Sequence, residues 1–149
     1  MTDFYKPYFD EYFKLIYPEN INLQFEDFKS LALEVKNNNK KLMFAGNGAS
    51  ASISAHGAVD FTKQGGVRAV TFNEANVITC FSNDFGYDHW VSEAVKFYGN
   101  EGDALVLISV SGESASVVNA AKVAKDRGIK IVTFSGRHAD NSLKLLGDI

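Results

Sequence analysis

The sequence predicts an α/β fold, a doubly wound and mostly parallel sheet flanked by helices, with further helices at its N-terminus. Three observations carry this expectation. From Lys41 onward, short β-type runs alternate with helix-periodic segments, the pattern of a parallel sheet with helical crossovers. The run Asp103 to Val110, DALVLISV, is apolar almost throughout, which suits a strand buried on both faces. The run Leu42 to Ala45 breaks into Gly46-Asn47-Gly48-Ala49-Ser50 ahead of a small-residue helix, a strand, glycine turn and helix N-terminus built to receive an anion.

In an N-terminal helical segment, residues 1–38, Phe4, Tyr5, Tyr8, Phe9, Tyr12, Phe13 and Ile16 recur at three- and four-residue spacing and mark one helix face, ended by Pro18. A second helical pattern, Phe25, Phe28, Leu31, Ala32 and Val35, runs into Asn37-Asn38-Asn39. The aromatic stripe reads as packing surface rather than a ligand box, and its wealth of Phe and Tyr favours a subunit interface. Residues 39–149 carry the α/β domain. After its first strand and helix, Gly65-Gly66 resets the chain and Val67 to Phe72 reads as a strand. Ala75 to Phe81 reads as a helix, Ser82-Asn83-Asp84 as a loop, and Tyr87 to Tyr98 as another helix. Ser114 to Arg127 is a helix closed by Gly128, well placed beyond its last turn. Ile129 to Phe134 is the next strand, followed by a loop at Ser135-Gly136 and a last helix to Leu146. Gly147-Asp148-Ile149 reads as the beginning of another strand, so the expectation is a domain truncated at its C-terminus.

Composition narrows the function classes. The 149 residues, 46% hydrophobic and 22% charged, suit a single core. A net charge of -3 argues for neither nucleic acid nor an anionic membrane as partner. No apolar run approaches the roughly 20 residues of a spanning helix, and MTDFYKPYFDEYF has none of the charge pattern of a signal peptide. The expected compartment is the cytoplasm. The one cysteine, Cys80, permits no internal disulfide or cysteine metal cluster and reads as a small buried hydrophobe.

Chemistry is concentrated in three stretches that this topology brings toward the carboxyl ends of the strands: GNGAS, Ser82-Asn83-Asp84, and Ser109-Val110-Ser111-Gly112-Glu113-Ser114. Ser50 can cap the helix it begins and donate its hydroxyl. Hydroxyls at 109, 111 and 114, a glycine at 112 and a following helix form a phosphate cradle, although serine-rich turns also serve as caps. No GxGxxG follows the first strand and no Walker lysine follows either turn, against dinucleotide binding and NTP hydrolysis. His56 and Asp60, four apart, share a helix face and could share one ion or substrate, or simply a surface contact. His89 reads as a solvated or capping residue, and His138 lies in a loop after a strand. Glu113 points either to the site or to water, and Arg68, Arg127 and Arg137 have no partner assignable from sequence.

GNGAS, the helix bearing His56 and Asp60, FSNDFGYD from Phe81 to Asp88, and SVSGES together resemble the sugar isomerase (SIS) domain and, within it, the bacterial phosphoheptose isomerases, over about residues 41–149. The resemblance implies a phosphorylated sugar substrate. Ser109, Ser111 and Ser114 would hold its phosphate, with Val110 between them where the family usually has threonine. Asn47, Gly48, Ala49 and Ser50 would line the sugar, and Asn83 and Asp84 would contact its hydroxyls. His56 matches the family's zinc-binding histidine, and Asp60 falls where the family has a glutamate serving catalysis and metal. The implied reaction is aldose–ketose isomerisation through an enediol(ate), with Asp60 as base and His56 as zinc ligand or electrostatic partner. Departures are the shorter Asp60, the absent threonine hydroxyl, a short connection from Phe61 to Gly66, and Glu113 in place of an asparagine. The family's C-terminal helix adds a histidine and a glutamine that this sequence ends before. The implied assembly is a homotetramer with composite sites. The alternative is a non-catalytic SIS sensor or protein-binding regulator.

Overall fold

The computed structural model describes residues 3–16 and 21–149. Helices α1 (Tyr5–Ile16) and α2 (Ile21–Asn37) come first, and Pro18, the expected stop between them, lies outside the described residues. Then follow β1 (Lys41–Gly46), α3 (Ala49–Lys63), β2 (Arg68–Thr71), α4 (Ala75–Phe85), α5 (Trp90–Tyr98), β3 (Ala104–Ser109), α6 (Ala115–Asp126) and β4 (Lys130–Ser135). A single 3-10 turn, Lys144–Leu146, comes last.

The strands pair in the order β2-β1-β3-β4, every pair parallel. Strand periodicity of two sends alternate side chains to opposite faces, so the sheet separates two cores. Met43, Ala45, Leu105, Leu107 and Ile131 face α5 and α6, packing on Trp90, Val95 and Val117. Leu42, Phe44, Val106 and Val132 face α2 and α3, packing on Phe28, Val35 and Ala58. β1 and β3 are therefore covered on both faces, as their apolar runs predict. Because α3 leaves β1 toward one layer and α6 leaves β3 toward the other, a crevice opens between the carboxyl ends of these two neighbours, the switch point of a doubly wound sheet. Beyond β4, Ile149 runs parallel to it: its N–H bonds to the Ile131 carbonyl at 3.2 Å and its carbonyl accepts from Thr133 N–H at 2.9 Å.

Several local expectations need correction. Ser82-Asn83-Asp84 is not a loop but the last turn of α4, because Glu74 caps the start and the helix continues to Gly86, whose φ of 86° ends it. Phe81 and Phe85 stack edge-on along the same helix, 6.1 Å apart, so the apolar repeat carries through the polar triplet. Cys80 is exposed, since Ile78 and Phe81 are the residues of α4 that reach the core. The helix expected at Tyr87 begins at Trp90, after the turn at Gly86. The last helix shrinks to one turn because the Asn141 side chain takes the Lys144 N–H and Glu113 holds Ser142. Helix α1 contrasts with all of this. Every side chain described on it is exposed, and Phe4, Tyr8 and Tyr12 stack along its length at 5.9 and 6.3 Å.

Candidate functional site

At the crevice, β1 ends in the turn Gly46-Asn47-Gly48. A side chain at Gly46 would strike the backbone of Ser50 at 2.8 Å, and Gly48 holds a φ of 57°, so both positions require glycine. Gly48, not Ser50, is the N-cap of α3, and no side chain caps this helix. Ser50 is instead buried within its first turn. Asn73, just beyond β2, donates to the Gly46 carbonyl at 2.8 Å and fixes the turn from behind. Asn47 is clamped from two sides: its amide donates to Ser116 Oγ at 2.9 Å and its carbonyl accepts from the Tyr87 hydroxyl at 3.1 Å. Neither partner is signalled by the sequence, because both lie about forty or more residues away.

Facing this turn, the loop after β3 folds back on itself. Ser109 Oγ accepts from Gly112 N–H at 3.2 Å and lies 3.4 Å from Ser114 Oγ, while Ser111 Oγ accepts from Glu113 N–H at 3.1 Å. Gly112 has a φ of 69°, and Ser114 is the N-cap of α6 without using its side chain as a cap. Ser109, Ser111 and Ser114, the last of them the N-cap of α6, thus line one concavity. It is a cavity of about 220 Å³ lined by Asn47, Ser50, Ile108, Ser109, Val110, Ser111, Ser114 and Arg137. Seven of the eight lie in the two predicted loops or on the strand leading into the second. Arg137 is the addition, from the loop after β4, which the fold brings to the same edge of the sheet. A larger groove of about 700 Å³ adjoins it through Ser50 and Ser109, bounded by α2 and the segment near Ile149.

The remaining predicted residues lie elsewhere. Gly48 and Ala49 are exposed beside the cavity without lining it. His56 and Asp60 do meet on one face of α3, Nε2 to Oδ2 at 3.5 Å, but the histidine side chain is 79% exposed and neither residue lines either cavity. Asp60 also accepts from Gln64 at 3.3 Å. Asn83 and Asp84 bond to each other on the exposed end of α4. Glu113 lines neither cavity and accepts instead from the backbone N–H and hydroxyl of Ser142, at 2.8 and 2.6 Å. Those bonds, with the charge of His138 adding to them, hold its carboxyl below the usual range. His89 starts α5 without capping it through its side chain. Arg68 and Arg127 donate to the carbonyls of Asn39 and Gly99, both at 3.1 Å.

Zinc takes four ligands, or three protein ligands and a water. His56 and Asp60 are donors of the right chemistry for two, and no group of three or more His, Cys, Asp or Glu is gathered among the described residues. By themselves these two residues do not complete a zinc site.

A family profile described as the SIS domain matches residues 17–136. The phosphoheptose isomerase of Enterobacter sp. (strain 638) is 38% identical over 102 residues, covering 65% of this chain and 53% of that protein. The chain thus spans about half the length of the relatives it matches in this way. Among solved structures, phosphoheptose isomerase GmhA from Neisseria gonorrhoeae superposes with a TM-score of 0.78 and 32% identity, over 87% of this chain and 70% of that one. A phosphoheptose isomerase from Francisella tularensis superposes with a TM-score of 0.84 over 95% of this chain and 78% of that one, and its 21% identity speaks for the fold.

Proposed function

The chain belongs to the SIS domain family, and from that premise we propose that it serves as a phosphosugar aldose–ketose isomerase of phosphoheptose type, interconverting sedoheptulose 7-phosphate and a heptose 7-phosphate. The observation that carries this reading is the serine-lined cavity at the switch point, where three hydroxyls, a helix N-terminus and the Asn47 turn converge on one volume. Its size and chemistry suit a phosphate with its adjoining carbons, and the neighbouring groove leaves room for the rest of a sugar chain. Ser109, Ser111 and Ser114 anchor the phosphate, and Asn47 and Ser50 orient the sugar.

The chemistry requires a base to remove the proton from the carbon beside the carbonyl and an acid to return it to the neighbouring carbon. Asp60 is the candidate base and His56 its partner, at 3.5 Å. Both lie outside the cavity of this chain, so the reading includes a homo-oligomer, a tetramer by family likeness, in which one subunit's α3 face completes another's phosphate site. The aromatic face of α1 is the proposed contact. Zinc held by His56, Asp60 and further donors would supply a positive charge for the enediolate oxygens. No helix is long and apolar enough to cross a membrane among the described residues, and the cytoplasm is the proposed compartment.

One observation favours a second reading. A cavity that is complete while His56 and Asp60 stand apart is what a non-catalytic phosphosugar sensor would retain. Turnover of sedoheptulose 7-phosphate, followed with and without added zinc, separates the two. Metal-stimulated turnover supports the isomerase; tight phosphosugar binding without turnover supports the sensor.

A further inference from the structure

We propose that Arg137 is the cation of the phosphate cradle, pairing with the phosphate that the serine loop holds and so selecting phosphorylated over neutral sugars. The inference rests on the phosphate-cradle reading above and adds to it a charged residue that the motifs do not contain. Three observations converge on it. Arg137 is the one charged residue lining the serine cavity among the described residues. While Arg68 and Arg127 donate to backbone carbonyls, the Arg137 guanidinium takes no protein acceptor among the described residues and keeps its fork of N–H donors for a ligand.

Its backbone is also held in an unfavourable place. Arg137 has a φ of 59°, one of only two non-glycine residues described with positive φ, and a long side chain pays steric strain there. The surrounding contacts impose it. Gly136 N–H bonds to the Val110 carbonyl at 3.1 Å, inside the serine loop, and His138 N–H closes back on the Gly136 carbonyl at 2.9 Å. Asn141, almost wholly buried, donates to Ser135 Oγ at 3.0 Å and to the His138 carbonyl at 2.7 Å. A side chain at Gly112 would collide with that same amide. The loop bearing Arg137 and the loop bearing the serines are therefore one interlocked unit, and the strained residue lines the same cavity as the serines. An arginine fork matches phosphate oxygens in pairs and compensates the negative charge that neutral hydroxyls and N–H groups leave unbalanced.

The test is calorimetric binding of inorganic phosphate and of sedoheptulose 7-phosphate to the full chain and to Arg137→Gln, Arg137→Lys and Arg137→Gly, with Ser114→Ala as the cradle control. Arg137→Gln is expected to weaken both ligands about 10- to 100-fold, the range of a charge-assisted bond, and to flatten the salt dependence of binding. Arg137→Lys should recover part of the loss. Arg137→Gly relieves the backbone, so it should lose the same affinity with a melting temperature no lower than wild type, which separates charge from structure. If Arg137→Gln binds within twofold of wild type while Ser114→Ala weakens binding, the role of Arg137 is overturned and the cradle stands. If wild type binds neither ligand, both fall together.

Discussion

At the carboxyl ends of β1 and β3, glycine turns, serine hydroxyls and the Asn141 clamp are knit by hydrogen bonds between loops that lie far apart in sequence. Two turns along α3, His56 and Asp60 touch little but each other and Gln64. The first region is finished within one chain; the second presents its groups to whatever lies outside. On the proposed reading, a preorganised anion site would cost little to assemble when its ligand arrives, whereas a base on an open helix face would need another surface to desolvate and aim it. The proposal thus gives affinity and chemistry separate structural owners, and substitutions should divide along the same line.

The largest expected effect tests that division directly. Asp60→Asn removes the proposed base but leaves the cavity intact, so turnover should fall by about 10²- to 10⁴-fold, while the dissociation constant for phosphosugar moves by less than about twofold. Steady-state rates beside calorimetry would show it. Equal losses in both would mean that the Asp60 carboxylate also binds the phosphosugar, and the division between the two regions would fall.

Gly112→Val attacks the other side of the contrast. It forces a β-branched residue into a φ of 69° and drives its side chain into the buried Asn141 amide, a combination expected to cost about 2–4 kcal/mol. Urea unfolding should record that loss together with loss of phosphate binding. A variant that keeps its stability would show that the two loops are less tightly interlocked than their hydrogen bonds suggest.

A smaller effect is expected at α1, where exposed rings offer about 2 kcal/mol each when they anchor an interface. Phe9→Lys should shift the assembly toward monomers in light scattering at micromolar concentration, lowering turnover while phosphate affinity holds. Wild type running as a monomer under those conditions would remove the subunit contact from the reading, and with it the means of completing the α3 face.

Most of this contrast was legible in the sequence on one side only. Short, nearly continuous apolar runs placed β1 and β3, the glycines marked turns that a side chain could not enter, and the serine spacing marked the loop that lines the cavity, because each of these signals is local. Arg137, Tyr87 and Asn141 were not found. They matter through contacts closed by the fold, Tyr87 reaching Asn47 across forty positions, and no pattern along the chain encodes such a meeting. Asn83 and Asp84 were misplaced for the opposite reason: a polar triplet looked like a loop, yet Phe81 and Phe85 on either side of it kept the helical period. His56 and Asp60 show the limit of spacing itself. Four residues put them on one face, as expected, but spacing is silent about what that face meets.

The smallest effect probes how the interlocked unit is latched. The Ser142 hydroxyl and N–H, in that order, hold the Glu113 carboxyl below its ordinary value of 4.5, with His138 adding a favourable charge. A carboxyl whose folded value is depressed contributes stability that is fully present above its unfolded value and disappears as pH falls through the folded one. The hydrogen bonds that Ser142 donates to Glu113 should therefore hold at neutral pH and loosen below about 4.5, freeing the segment that the Leu143 N–H ties to the Gly112 carbonyl. Amide hydrogen exchange at Ser142, compared between wild type and Glu113→Gln from pH 6 to pH 3, isolates this carboxylate from every other one in the chain. Protection should decay with acid in wild type more steeply than in Glu113→Gln, whose side chain does not titrate. Because Glu113 is solvent-accessible, the difference should be modest and confined to this loop; identical slopes would assign the latch to the Asn141 and Leu143 bonds without Glu113.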